Sequence, residues 1–473
     1  MQEPEVIFVI PTYRLRDVCE TVERYDESFW NSGHSPRIIV FDDSTVANHN
    51  KYYSLLEKTK TRSDLFYVGP SEKEQFTDLV NKRLRDRKLE AGVRNLFRPS
   101  YGGNRNFALI YTLGNLMVSS DDDMRPYGLI EDSPESLADD EISRGKLLKA
   151  ASNGYSHKSF DVLSAFADVL GKKVADVPEN FAQGELIVDT AMDLETNVSK
   201  GLVRENSLLL QKGKVSRGAT VKIAQTFRSG TSDVDAMEFV ELFLDDQNQT
   251  QPDELNDAYV LVNFRPAITN KNWRMDCGVA GYDNTVGLPP FFPTRLRFED
   301  YGYRLWIQQP GVVAAHVDAA QTHTKNNYMR HPLAFEVFNE EVANLLKRKI
   351  LATCTHRNDL TIEFGYEGEV TVQDSEEIIE RIGAIHRRTL ACADETSNEA
   401  RKRALAQFAC NLEKAFYGFE ADFFQQNLSR IVDDVVNDIR GAMELWPTVV
   451  EICYFRKHRR DLPQTRVRNH RRN

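Results

Sequence analysis

The chain has no run of about eighteen continuous apolar residues, so nothing in it reads as a membrane-spanning helix. Its start, Met1-Gln2-Glu3-Pro4-Glu5, lacks the basic residues that open a secretory signal. Cysteine is scarce: six in 473 residues, none in a CxxC pair. That spacing argues against a zinc ribbon or a disulfide framework and leaves the thiols as small apolar side chains. No GxGxxG follows the first strand-like run and no GxxxxGK[ST] occurs, so neither a dinucleotide turn nor a phosphate-cradling P-loop is indicated. There is no repeat of constant period and no low-complexity linker.

What is present describes an acidic globular protein: 41% hydrophobic residues, 28% charged and a net charge of -11. A soluble, cytoplasmic protein is expected, and the length exceeds one ordinary core, so two or three domains are expected. The tail, residues 455–473, holds eight Lys and Arg against one Asp. It reads either as a solvated terminus or as a docking segment for an anionic partner such as nucleic acid, a membrane or an acidic protein surface.

Val6-Ile7-Phe8-Val9-Ile10, stopped by Pro11, has the continuous β-branched character of a buried parallel strand. A helix-like stretch follows to about residue 29. Arg37-Ile38-Ile39-Val40-Phe41 then reads as a second strand ending in Asp42-Asp43-Ser44-Thr45, which makes a βαβ unit. Farther on, an apolar run over 107–118 leads into Asp121-Asp122-Asp123. Carboxylates at a strand end suit a hard divalent cation shared with substrate phosphates, although acid clusters are commonly solvated loops. Upstream, in Tyr101-Gly102-Gly103-Asn104-Arg105-Asn106, the paired glycines would let backbone approach a phosphate and Arg105 would offer a planar fork of donors. In open parallel sheets ligands bind beyond the carboxyl ends of strands, so residues 11–14, Asp42, Asp43 and the triplet should converge on one crevice.

Residues 132–256 alternate helical-looking and polar pieces without a motif, and from residue 259 short strands and turns take over. Helical spacing dominates after residue 332, over 335–350, 376–390 and 405–446. The expected division is 1–130, a nucleotide-binding half; 131–332, an insertion plus an acceptor-binding half; 333–455, a helical domain; and 456–473, the basic tail. A second chemical cluster is Arg297-Phe298-Glu299-Asp300-Tyr301-Gly302-Tyr303-Arg304-Leu305-Trp306. A carboxylate there can accept a proton from an attacking hydroxyl, or the acids simply favour a helix start. Trp306 reads as core. His316 and His323 flank the end of a further strand read over 310–320.

Taken in order, Phe8-Val9-Ile10-Pro11-Thr12-Tyr13, Phe41-Asp42-Asp43-Ser44, Gly102-Gly103-Asn104-Arg105-Asn106, Ser120-Asp121-Asp122-Asp123 and Phe298-Glu299-Asp300-Tyr301 resemble the family-two glycosyltransferases. The resemblance implies an α/β A-type glycosyltransferase fold, a Rossmann-like mixed sheet flanked by helices, here with an insertion and a helical C-terminal domain. It implies a nucleoside-diphosphate-sugar donor, uridine diphosphate favoured and guanosine diphosphate the alternative. Donor contacts would come from Pro11, Thr12, Tyr13, Arg14, Asp42, Asp43, Gly103, Arg105, Asn106, Asp121, Asp122 and Arg304. Asp42 or Asp43 would read the base, or close a turn after the strand.

By the same resemblance Mn²⁺ or Mg²⁺ would be held by Asp123, with Asp121 and His323, and His316 stands as the alternative histidine. Asp300 would be the general base, with Glu299 second, and one sugar would pass to a hydroxyl acceptor of unknown identity with inversion. The interval from Asp123 to Glu299 is long for the simplest members, so acceptor choice is expected in an insertion within about 131–260. The QxxRW motif and membrane helices of processive synthases are missing. Two other readings stay open: a nucleotidyltransferase on the same fold, whose Gly-rich loop after the first strand is lacking, and a nucleic-acid-associated scaffold using the basic tail.

Overall fold

The computed structural model describes residues 3–84, 86–131, 146–149, 155–178, 187–189, 210–212, 217–226, 229–230, 240, 243–244, 259–262, 268–269, 278–296, 298–307, 311–317, 320–323, 333–354, 360–366, 369–416, 421–454 and 462–468. Strands of the central sheet are β1 (Val6–Thr12), β2 (Arg37–Asp42), β3 (Leu65–Val68), β4 (Leu116–Ser120), β5 (Thr220–Thr226), β6 (Ile268–Thr269), β7 (Val279–Asp283), β8 (Val312–Val317) and β9 (Thr465–Arg466). They lie in the order β6-β8-β5-β7-β4-β1-β2-β3-β9, nine strands in one mixed sheet. β3, β2, β1 and β4 are mutually parallel, and β7 enters antiparallel beside β4. The chain is thus mixed α/β with a Rossmann-like sheet flanked by helices.

The first strands behave as their composition dictates. With side chains alternating across the pleat, Ile7, Val9, Ile39 and Phe41 enter one core and Phe8, Ile10, Ile38 and Val40 the other, all fully buried. Helices α1 (Leu15–Asn31), α2 (Val46–Lys58) and α3 (Pro70–Leu84) connect and follow these strands, the last opening on a proline whose missing N–H costs nothing at a helix start. Next come α4 (Arg87–Leu96) and α5 (Tyr101–Tyr111). The apolar run over 107–118 is divided between the end of α5 and the start of β4, and Gly114, at φ 69°, makes the turn between them. A separate small antiparallel sheet of Met124–Glu131, Tyr155–Ser159 and Ala320–His323 starts directly after the acidic triplet.

Helices α6 (Val162–Ala167) and α7 (Tyr301–Trp306) are short. The C-terminal helices are α8 (Ala334–Lys349), α9 (Val372–Glu395), α10 (Glu399–Phe416) and α11 (Ala421–Tyr454). Their Leu346, Ile382, Leu405, Val432 and Trp446 belong to one hydrophobic core with Ile7, Val9 and Phe107. The indole N–H of Trp446 donates to the Leu288 carbonyl at 2.6 Å, which ties α11 to the sheet half of the chain.

The described part of the basic tail is built into the sheet: β9 pairs antiparallel with β3. Four side-chain contacts fasten this segment. Tyr111 Oη donates to the Pro463 carbonyl at 2.6 Å, Arg37 donates to Gln464, Thr465 Oγ1 donates to Glu72 at 2.6 Å, and Arg466 pairs with Asp64 at 2.5 Å. Tail residues 455–461 and 469–473 lie outside the described residues. Among the described residues no helix is long and apolar enough to cross a membrane.

Candidate functional site

The sheet itself says where to look. From β1 the chain moves to β2 and β3 on one side, whereas β4 lies on the other, so the crossover direction reverses between β1 and β4. The helix-bearing connections diverge at such a point and leave a crevice beyond the carboxyl ends. A cavity of about 730 Å³ occupies that position, lined by Pro11, Thr12, Tyr13 and Arg14 after β1, Asp43 after β2 and Asp121, Asp122 and Asp123 after β4. Arg105, Arg295 and Glu299 complete the charged lining. The volume is that of a pocket for a small molecule.

The carboxylates are held by a lattice of buried partners. Arg14 donates to Asp123 at 2.6 Å and also to Asp122, while Thr12 Oγ1 donates to the second Asp122 oxygen at 2.6 Å. Thr21 Oγ1 anchors the Asp122 carbonyl at 2.5 Å. Burial pushes the Asp122 carboxyl above its usual range, and Arg14 and Thr12 oppose that shift. Burial also disfavours the Arg14 charge, but Asp122 and Asp123 outweigh it and hold the guanidinium protonated. Arg105 spans the cavity wall, donating to Asp121 at 2.7 Å and reaching Glu299 at 3.5 Å.

Lys73, which carries no motif in the sequence, pairs with Asp43 and donates to Asn104 Oδ1 at 2.7 Å, and Asn104 in turn donates to the Phe41 carbonyl at 3.0 Å. Burial raises the Asp43 carboxyl, countered by Lys73 and by the Ser100 N–H. Asp42 and Asp43 therefore separate. Asp42 is fully buried, accepting from Ser44 N, Ser44 Oγ and Tyr67 Oη at 2.7 to 2.8 Å. It closes the turn after β2, and of the two only Asp43 lines the cavity.

Four other expected contacts do not line the cavity. Gly103 sits in the first turn of α5, where its N–H meets the Ser100 cap, and a Cβ there would lie 2.0 Å from the Arg98 carbonyl. A Cβ on Gly102 would lie 1.9 Å from the Phe292 carbonyl, so both glycines serve close backbone packing in place of phosphate approach. Asn106 is fully buried and ties Leu96 to Phe291, using its amide for three backbone bonds. Arg304 lies over the Tyr301 ring.

The fourth is Asp300. It is the cap residue of α7, and its carboxyl is raised by burial against the opposing charges of Arg105, Lys347 and Arg304. Of the acidic pair, Glu299 is the one on the cavity wall. Trp306 is fully buried, as expected for core. His316 is buried on β8 beside Gln225 and outside the cavity lining. The His323 side chain lies outside the described residues, but its backbone pairs with Met124, the residue that follows Asp123.

The donor set of Asp121, Asp123 and His323 fits a hard or borderline divalent cation in ligand type. Two of these flank the turn after β4, and strand register brings the third alongside. Among the described residues no group of three metal-ligating side chains forms, and arginines engage all three carboxylates of the triplet. A cation there would share Asp121 and Asp123 with Arg105 and Arg14.

Sequence reasoning missed the wall contributed by Leu333, Phe335, Glu336 and Asn339 at the start of α8. Its only sequence signal is Glu336 three residues after Leu333, where the carboxylate accepts the Leu333 N–H at 3.1 Å.

No family model matches the chain, and no curated protein matches it. A solved structure titled "Crystal Structure of a Mycobacterial Protein" aligns with 77% of this chain and 84% of its own at 9% identity. Its TM-score of 0.25 is too low to argue from.

Proposed function

We propose that the chain is a glycosyltransferase of the A-type fold that moves one sugar from a nucleoside diphosphate to an acceptor hydroxyl. One observation carries this reading: at the switch point of the sheet, a single cavity gathers Asp43, three strand-end carboxylates, two arginines paired with them and a further carboxylate, Glu299, which Arg105 bridges to Asp121. Asp43 accepts the imide hydrogen of a uracil or the amino and imino hydrogens of a guanine. Arg14 and Arg105 offer planar donor forks to the diphosphate. A divalent ion held by Asp121, Asp123 and His323 would supply Lewis-acid stabilisation of the departing diphosphate. Glu299 takes the proton of the acceptor hydroxyl as that oxygen bonds to the anomeric carbon and the carbon–oxygen bond to the diphosphate breaks. A single displacement of this kind inverts the anomeric centre.

Thermal unfolding with a panel of nucleoside diphosphates, each with and without Mn²⁺, tests the reading. One nucleotide should stabilise the chain by ~2.7 kcal/mol at a hundred times its dissociation constant, with a metal-dependent part. No response to any nucleotide overturns it.

A further inference from the structure

We infer that the wall formed by the first turns of α8, with Phe335 and Asn339 as its binding side chains, is the acceptor subsite, and that it takes a neutral saccharide. The inference rests on the glycosyltransferase reading and goes beyond it by naming the acceptor class and the residues that select it.

Four features of the cavity support this. Phe335 is 59% exposed although it lies on a helix packed into the main core, so its ring is offered to the cavity. Tyr101 is 40% exposed and also lines it. A pyranose presents one face of C–H bonds and a rim of hydroxyls. An aromatic face beside an amide and a carboxylate, here Phe335 with Asn339 and Glu336, matches that combination. Second, α8 is tied at its far end to α7, the helix that follows Glu299: Tyr301 Oη donates to the Lys347 carbonyl at 3.1 Å.

Third, charge selects against an anionic acceptor. Asp43, Asp121, Asp122, Asp123, Glu299 and Glu336 face three arginines, of which Arg14 and Arg105 are already paired with triplet carboxylates. Bringing a lipid phosphate or a nucleic acid beside Glu299 and Glu336 would add like charge to a partly desolvated wall. Fourth, Leu333 and Phe335 are the only wholly apolar side chains on the α8 wall among the described residues. That is too little for an acyl or prenyl chain, whose binding needs a continuous apolar channel.

The experiment is saturation-transfer NMR on the full chain with one nucleoside diphosphate, Mg²⁺ and a panel of neutral disaccharides in the same tube. Saturation should reach the ring protons of at least one disaccharide. Phe335→Ala and Asn339→Ala should each weaken that binding ~2- to 10-fold, the loss of one ring or hydrogen-bonding contact, without changing the nucleotide signals. Nucleotide signals without any saccharide signal overturn the inference and leave the enzyme reading standing. Absence of nucleotide signals removes the enzyme reading on which it depends. Unaltered saccharide binding in both variants, or displacement of the saccharide by micellar polyprenyl monophosphate, also overturns it.

Discussion

The two walls of the cavity are built on opposite terms. On the side of β1 and β4, Thr12, Arg14, Asn104, Arg105, Asp122 and Asp123 are locked by several partners each and are largely withdrawn from solvent. On the α8 side, Phe335 stands in solvent on a helix whose other face makes core. The first wall is preorganised for one charge pattern. The second can change its exposed side chains without disturbing the fold, so variation in what the cavity accepts would cost least there.

Function gives the largest contrast. Glu299→Gln should lower kcat by ~10²- to 10⁴-fold while the nucleotide dissociation constant stays as it is. Asp300→Asn should cost far less, since its carboxyl lies outside the cavity lining. The reverse order in steady-state kinetics would give the base role back to Asp300.

Stability gives the next. Arg14→Ala leaves Asp122 and Asp123 buried without their cation, a loss of ~3–5 kcal/mol in urea unfolding, whereas Phe335→Ala should stay within ~0.5 kcal/mol. Equal losses would erase the distinction between the walls. Gly103→Ala should cost ~1–3 kcal/mol by the same assay, because the new methyl meets the Arg98 carbonyl and backbone must move.

The smallest effect is a pH dependence that separates site from scaffold. Burial also acts on Asp374, but the Thr371 N–H and Lys349 outweigh it and lower its carboxyl below the usual range. Its contribution to stability is therefore present above the unfolded value of about 3.9 and is lost as pH falls through the lower folded value. Asp43, raised by burial, has the opposite sign: its contribution is full in acid and fades as pH rises through its folded value. Asp374→Asn should flatten the acid limb of a stability–pH curve, and an unchanged limb would assign that limb to other groups.

Much of the first half was legible because its rules are local. An unbroken β-branched run before Pro11, and another before Asp42-Asp43, left little alternative to parallel strands, and strand ends in such sheets converge. The triplet and Arg14 followed from that. Local rules failed where a neighbour distant in sequence decided the outcome. Gly102 and Gly103 read as phosphate approach until the carbonyls of Phe292 and Arg98 proved to occupy the space. Glu299 and Asp300 cannot be ranked from adjacency, since one helix start turns them to different sides. The expectation of acceptor choice within about 131–260 falls largely outside the described residues, and the described cavity wall at 333–339 is one that only the return of α8 to the sheet brings near.

The pairing of β9 with β3 has a consequence for how the protein is made. On the ribosome, β1 to β4 emerge long before their edge partner, which lies some four hundred residues downstream. At roughly 5–20 residues per second, the β3 edge waits about 20–80 s for Thr465 and Arg466. Through that interval the nascent chain carries an open strand edge, the kind of surface that recruits neighbouring chains, so crowded polysomes are where this protein is most exposed to misassembly.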